Sequence, residues 1–238
     1  MPLQPVIRTY STISTHPLLF KMPYRKNTNP NEQYLKQEGG FTYLEHGEGE
    51  PLLLLHGLFG ALSNWTDVVR TFAQDRRVLI PVMPIYIESD YPSTPDGLAN
   101  FIGDFIDMKK LDGLTLIGNS LGGHVGLVYT LKHPEKVARL VLTGSSGLFE
   151  AGMGSGLPRR GDYAYIKERV EFTFYSPKTA TQALVDEVFE LVNDPKKAMG
   201  ILKIARSAQR MNMREDIQHI QIPTCLIWGL NDTLLRPM

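Results

Sequence analysis

Ser120 stands in Gly118-Asn119-Ser120-Leu121-Gly122-Gly123, directly after the apolar run Leu114-Thr115-Leu116-Ile117. A strand that turns through small residues into a helix holds a serine at the tip of a sharp bend. The glycines let that bend tighten, and the helix behind it points backbone N–H groups at whatever the serine attacks. This combination suits nucleophilic attack on a carbonyl, with the Leu121 N–H as one donor to the developing oxyanion. The bland alternative is a serine that only caps the helix. A second motif, His56-Gly57-Leu58-Phe59-Gly60, follows the apolar run 52–55. Its glycines let the loop curl toward the serine turn, so that the N–H of Leu58, or of Phe59, becomes a second oxyanion donor. His56 reads as a brace for that loop rather than as a base.

Such residues need a scaffold. Folded structure is expected from about Tyr34, with Gly39-Gly40 and Gly47-Glu48-Gly49 punctuating a hairpin whose second strand covers 41–45. Strands are then expected at 52–55, 78–82, 114–117 and 140–143, alternating with helices at 63–72, 94–108 and 122–132. Continuous apolar runs such as 52–55 suit strands buried on both faces, and the alternation argues for an α/β fold: a mostly parallel sheet flanked by helices. The rhythm breaks after Leu148. Residues 149–214 read as mostly helical, at 163–174, 180–193 and 195–211, and a strand resumes at 223–228. Ligands in such sheets bind at the carboxyl ends of the strands, so the insertion is expected to be a helical lid there. The expected organisation is a leader at 1–33, a core at 34–148 and 215–238, and a cap at 149–214. Gly152-x-Gly154-x-Gly156 reads as a hinge into that cap.

Composition narrows the function classes. The chain has 238 residues, 42% hydrophobic and 21% charged, the proportions of an ordinary globular protein. Lysine plus arginine matches aspartate plus glutamate at 25 each, so no basic bias points to nucleic acid. No apolar stretch is long enough to span a bilayer. The single cysteine, Cys225, excludes an internal disulfide and fits a reducing, cytoplasmic setting; within the apolar run 224–228 it reads as an inert core thiol. No cofactor signature and no metal-ligand spacing stand out. The first 21 residues contain no acid and three prolines. They read as a disordered leader, or as translation from an upstream start with Met22 the true one.

The segments "HGLFG…NW" and "GNSLGG", in this order and at these strand ends, resemble the α/β-hydrolase superfamily, in its branch of capped esterases and carbon–carbon-bond hydrolases. The resemblance covers the chain from about residue 35 onward. It implies a triad in the chain order serine, acid, histidine, with Ser120 as nucleophile and Leu58 and Leu121 as oxyanion donors. Serine rather than aspartate at position 120 sets the chain apart from the haloalkane dehalogenases and epoxide hydrolases of the superfamily. The family likeness puts the acid at Asp232, after the strand 225–228, with Glu150 as second choice. The segment Met83-Pro84-Ile85-Tyr86 replaces the acidic, glycine-rich loop that the family often has there.

The implied activity is a serine hydrolase cleaving carboxylic esters of small or medium, mainly apolar substrates through an acyl-enzyme. Phe172, Phe174, Phe189, Met199 and Met211 are the lid residues behind the word apolar. One alternative is hydrolysis of carbon–carbon bonds in ring-cleavage products. The other is a non-catalytic binding scaffold, and it rests on the base. The resemblance places the histidine after the acid, whereas His16, His46, His56, His124, His133 and His219 all precede Asp232. The histidine is expected to be missing from this chain, together with the last helix and strand of the family. Restoring one base after Thr233 lets codons for Leu234-Leu235-Arg236-Pro237-Met238 read Ile-Thr-Pro-Pro-Asp, the sort of continuation the family shows; a shortened fragment is the rival explanation. As given, the chain is expected to be impaired.

Overall fold

The structure, a computed structural model, describes residues 34–59, 62–87, 89–148 and 159–235. The leader 1–33, Gly60, Glu150, the glycine run 152–156 and residues 236–238 therefore lie outside the described residues. Seven strands form one sheet: β1 (Leu35–Glu38), β2 (Phe41–His46), β3 (Glu50–Leu55), β4 (Arg76–Pro81), β5 (Leu114–Asn119), β6 (Val137–Thr143) and β7 (Thr224–Ile227). They are ordered β1-β2-β4-β3-β5-β6-β7. The pairs β1–β2 and β2–β4 are antiparallel, and the other four are parallel.

The central strands are covered on both faces, and side-chain alternation divides the leucines of β3 between them. Leu53 and Leu55 point with Leu79 into a large core under α2 (Pro95–Met108) and α3 (Leu121–Lys132). Leu52 and Leu54 point with Val78 and Ile80 into a smaller one under α1 (Thr66–Phe72). A parallel strand buried on both faces has no use for polar alternation, which is why 52–55 reads as an unbroken apolar run. α2 starts where Thr94 accepts a hydrogen bond from the Gly97 N–H at 2.9 Å and Pro95 takes the first helical position. It buries Phe101, Ile102, Phe105 and Ile106, each contributing about 2 kcal/mol of apolar burial. The helix expected at 63–72 opens with a tighter 3-10 turn at Leu62–Trp65 before α1.

Register sets up the functional edge. Leu55 of β3 lies opposite Gly118 of β5, Asn119 of β5 opposite Thr143 of β6, and Thr143 opposite Ile227 of β7. The carboxyl ends of these four parallel strands are thus level. The segments that leave them, starting at His56, Ser120, Gly144 and Trp228, emerge side by side.

Between β6 and β7 come α4 (Tyr163–Phe172), α5 (Gln182–Asn193) and α6 (Pro195–Arg210), close to the helices expected there. Each begins on a side-chain cap: Asp162, Thr181 and Asp194 accept from backbone N–H groups of the first turn. They share a core of their own around Ile166, Val170, Val185, Val188, Val192 and Ile201. Phe174 and Phe189 join this core and Met211 joins the main one, whereas Phe172 and Met199 are exposed. The two ends of the inserted segment leave the main core together, because the Met213 N–H donates to the Gly147 carbonyl at 2.7 Å.

One expectation is corrected. Cys225 is exposed, not a core thiol. All four residues of β7 are exposed, because the strand pairs with β6 alone and, among the described residues, nothing covers it. The apolar composition of 224–228 signals a strand, but burial depends on neighbours that composition does not carry.

Candidate active site

Ser120 has φ +52° and ψ −118°, a conformation that residues with a side chain rarely adopt. Holding it costs on the order of 1–3 kcal/mol, supplied by the surroundings. The surroundings leave no room for anything else. A Cβ on Gly122 would lie 2.1 Å from the Leu55 carbonyl oxygen, and one on Gly118 2.4 Å from the Gly122 carbonyl oxygen. A Cβ on Gly123 would meet Ser145 Oγ at 2.5 Å. Backbone presses on backbone at Gly118 and Gly122, and the Ser145 side chain closes on Gly123. The Ser120 N–H donates to the Thr143 carbonyl at 3.2 Å, and the Ser120 carbonyl accepts from the Ser146 and His124 N–H groups at 3.1 and 3.2 Å. The hydroxyl makes no capping hydrogen bond to α3, so the helix-cap alternative fails.

The loop after β3 lies against this turn. A Cβ on Gly57 would approach Ser120 Cβ and Asn119 Oδ1 at 3.3 Å each, so glycine lets the two segments touch. His56 is buried and braces the loop, as its position after the strand implies. Its Nε2 lies 3.2 Å from the Met83 amide nitrogen, and its Nδ1 2.9 Å from the Gly57 carbonyl oxygen. A backbone N–H can only donate, so Nε2 accepts and Nδ1 carries the proton; the partners fix the tautomer. Burial pushes the ring's pKa below its ordinary value, although the Gly57 carbonyl pulls the other way; a neutral ring is what an accepting Nε2 requires. The Tyr86 hydroxyl donates to the Leu58 carbonyl. Among the described residues neither the Leu58 nor the Phe59 N–H has a hydrogen-bond partner.

Asp232 sits in the turn after β7. Its N–H donates to the Gly229 carbonyl at 3.1 Å, and Oδ1 accepts from the Leu234 and Leu235 N–H groups at 3.0 and 2.8 Å. Its Oδ2 faces Gly144, 3.5 Å from where a Cβ there would be. Gly144 directly follows Thr143, whose carbonyl holds the Ser120 N–H. The structure thus brings Ser120, Leu121 and Leu58 together at the ends of β3 and β5, and sets Asp232 two strands over on the same edge.

The histidines are elsewhere. His124, on α3 beneath the serine turn, is fully buried against Gly147, where a Cβ would meet its ring at 2.7 Å. Burial pushes its pKa down to about 4; the Met211 carbonyl raises it slightly, without the geometry of a full hydrogen bond. His46 stacks on Tyr34 at 4.3 Å near the far edge of the sheet, His133 ends α3, and His219 lies in a 3-10 turn at the amino end of β7. None of these five histidines hydrogen-bonds the Ser120 hydroxyl. Two residues escaped the sequence reading. Asn119 Nδ2 donates to the Thr143 carbonyl and Oγ1 at 3.0 and 3.1 Å, tying the ends of β5 and β6 beside the serine. Tyr86 is the other, and its only signal was the unusual segment 83–86.

The chain is similar to known proteins over most of its length. Residues 50–237 match the family model described as alpha/beta hydrolase fold. Lipase 1 of Psychrobacter immobilis is 28% identical over 214 residues, 82% of this chain and 67% of that protein. The 2-hydroxy-6-oxo-6-(2'-aminophenyl)hexa-2,4-dienoic acid hydrolase of Metapseudomonas resinovorans is 39% identical over 113 residues, 44% of this chain. The chain spans 39% of the length of that hydrolase, well under half. A solved structure of MGS-MChE2, an alpha/beta hydrolase enzyme from the metagenome of sediments from the lagoon of Mar Chica, Morocco, is 40% identical. It superposes with a TM-score of 0.67 over 85% of this chain and 78% of that one. With its strand order, its level strand ends and this match over more than half its residues, the chain belongs to the alpha/beta hydrolase fold family.

Proposed function

We propose that the chain is a serine hydrolase that cleaves carboxylic esters of small or medium, mainly apolar substrates through an acyl-enzyme on Ser120. The strained conformation of Ser120 carries this reading: a serine with no capping role is held at φ +52° by backbone hydrogen bonds and by the close packing of Gly118, Gly122 and Gly123. Its hydroxyl oxygen attacks the carbonyl carbon, and the oxyanion is received by the Leu121 N–H together with the Leu58 N–H or the Phe59 N–H that follows it. Asp232 orients the histidine that takes the serine proton. That base is a group outside the described residues, since none of the five histidines among them bonds to Ser120. The inserted helices α4, α5 and α6 serve as the lid of the site. The support for this is that α6 presses on the loop after β4, where a Cβ on Gly200 would lie 2.5 Å from the Ile85 carbonyl oxygen.

Similarity to the Metapseudomonas hydrolase favours a second reading, cleavage of carbon–carbon bonds in ring-cleavage products, by the same serine turn. A non-catalytic scaffold is the third, and it draws on the absence of a bonded base among the described residues.

A fluorophosphonate probe and a panel of nitrophenyl esters of increasing acyl length separate these readings. The ester hydrolase labels at Ser120 and turns over, with a preference for short or medium chains, and Ser120→Ala abolishes both while leaving the melting transition in place. Turnover that survives Ser120→Ala overturns the assignment of the serine. A folded protein that neither labels nor turns over is the scaffold. Turnover of a ring-cleavage dienoate but of no ester selects the second reading.

A further inference from the structure

We infer that Tyr86 is a positioning residue that couples the inserted helices to the oxyanion donors by fixing the peptide plane that follows Leu58. The inference rests on the serine-hydrolase reading for what the donors do, but the coupling itself stands on geometry alone.

In a trans peptide the C=O and the N–H point in opposite directions, so whatever grips the carbonyl aims the amide. Two consecutive planes carry the candidate donors. The Gly57–Leu58 plane holds the Leu58 N–H, and its carbonyl is gripped by His56 Nδ1 at 2.9 Å. The Leu58–Phe59 plane holds the Phe59 N–H, and its carbonyl is gripped by the Tyr86 hydroxyl. Both N–H groups are left without partners among the described residues and are turned away from their pins. The loop after β4 stands behind both grips: Tyr86 supplies the second directly, and the Met83 N–H holds the His56 ring that makes the first, donating to its Nε2 at 3.2 Å. This is the segment that replaces the family's acidic, glycine-rich loop, and its residues 83–86 now have a task.

The same segment touches the inserted helices. Gly200 of α6 lies so close to the Ile85 carbonyl that a Cβ would come within 2.5 Å of it and 4.0 Å of Tyr86 Cα. The Tyr86 ring and the Leu58 side chain both pack against the core of α4–α6. Burial, with the Glu187 carboxylate of α5 nearby, raises the hydroxyl's pKa, so it remains a donor at any physiological pH. A displacement of α6 therefore passes through Ile85 and Tyr86 to the Leu58 carbonyl, and from there to the Phe59 N–H.

The test is amide-resolved NMR on the full chain, combined with ester kinetics. Tyr86→Phe keeps the ring and removes only the donor. It is expected to move the Leu58 and Phe59 amide resonances and to lower kcat about tenfold with KM changed less than twofold, because a misaimed donor forfeits part of the 10²–10³ that one oxyanion donor supplies. Gly200→Ala, whose Cβ must displace the Ile85 carbonyl at some cost in stability, is expected to move the Phe59 amide in the parent and leave it still in the Tyr86→Phe background. Unmoved Leu58 and Phe59 amides in Tyr86→Phe overturn the inference, and so does a Gly200→Ala effect that persists in the double variant. If Tyr86→Phe does not fold, Gly200→Ala alone decides: a still Phe59 amide refutes the coupling. Absence of ester turnover in every form counts against the serine-hydrolase reading, while the amide shifts continue to decide the role of Tyr86.

Discussion

The turn that carries Ser120 and the turn that carries Asp232 emerge two strands apart on one edge of the sheet, and they are held in opposite ways. The serine turn is fixed by long-range contacts: Leu55 from β3, Thr143 from β6 and Ser145 and Ser146 beyond it all press on or bond to it. The Asp232 turn is fixed by itself, through bonds to Gly229, Leu234 and Leu235, none more than three residues away. One is buried in backbone and tolerates no added atom. The other follows an exposed strand and depends on few neighbours. The serine bend is thus preorganised by the strands on either side of it, whereas the hydrogen bonds of the Asp232 turn are local and its carboxylate faces Gly144.

The sharpest break of this comparison is a matched pair of substitutions. Gly122→Ala places a Cβ 2.1 Å from the Leu55 carbonyl, backbone against backbone, with no side chain able to yield. It is expected to cost about 3–5 kcal/mol or to prevent folding. Gly229→Ala meets nothing nearer than 3.9 Å and requires no positive φ, so it should stay within about 0.5 kcal/mol of the parent. Urea unfolding of the two variants provides the measurement. Equal costs would mean that the Asp232 turn is as tightly enclosed as the serine turn.

A smaller effect separates the two regions by pH. The serine side contains two buried neutral histidines, His56 and His124; the Asp232 side has none in the described structure. Burial lowers both pKa values, His124 to about 4. The unfolded chain takes up protons on these rings below about pH 6.5, while the folded chain resists until lower pH. Stability conferred by the neutral rings is therefore complete above about pH 6.5 and falls as the pH drops from there toward 4. At pH 5 the loss from His124 is about 2 kcal/mol. His124→Leu should shrink the fall in stability between pH 7 and pH 5 by about that amount, read from urea midpoints at the two pH values. An unchanged slope would mean that His124 is charged or solvated in the folded protein.

What the sequence conveyed follows the same division. Ser120 between Gly118 and Gly122, and Gly57 after His56, are legible because tight backbone approach demands glycine at fixed spacings, and only a few residue types satisfy it. Leu52–Leu55 is legible as a strand because burial on both faces erases alternation. Tyr86 is not legible, because a tyrosine in an irregular loop has no period to betray it and its partner is a carbonyl that every residue possesses. Nor is the tautomer of His56, which Met83 sets from 27 residues away. The exposure of Cys225 is illegible for a related reason: an apolar run predicts a strand, while the number of neighbours beside that strand is a property of topology.

The gentlest test lies on β7 itself. Ile227 is 51% exposed, while Leu142 on the adjacent strand is 1% exposed. The ladder bond that Ile227 makes, from the Gly144 N–H to its carbonyl at 3.0 Å, uses backbone alone. Ile227→Thr keeps the β-branched shape that strands favour and removes apolar surface that is half in water already. Its expected cost is under about 0.5 kcal/mol, against about 2–4 kcal/mol for Leu142→Ala in the buried core. An exposed apolar edge is also a template for pairing with other chains, so the threonine variant should scatter less light than the parent at equal concentration. A loss of about 2 kcal/mol or more from Ile227→Thr would contradict the exposure, because burial is what gives an isoleucine that much to lose. It would mean that something covers β7 in solution, and that the Asp232 turn is held by more than its own hydrogen bonds.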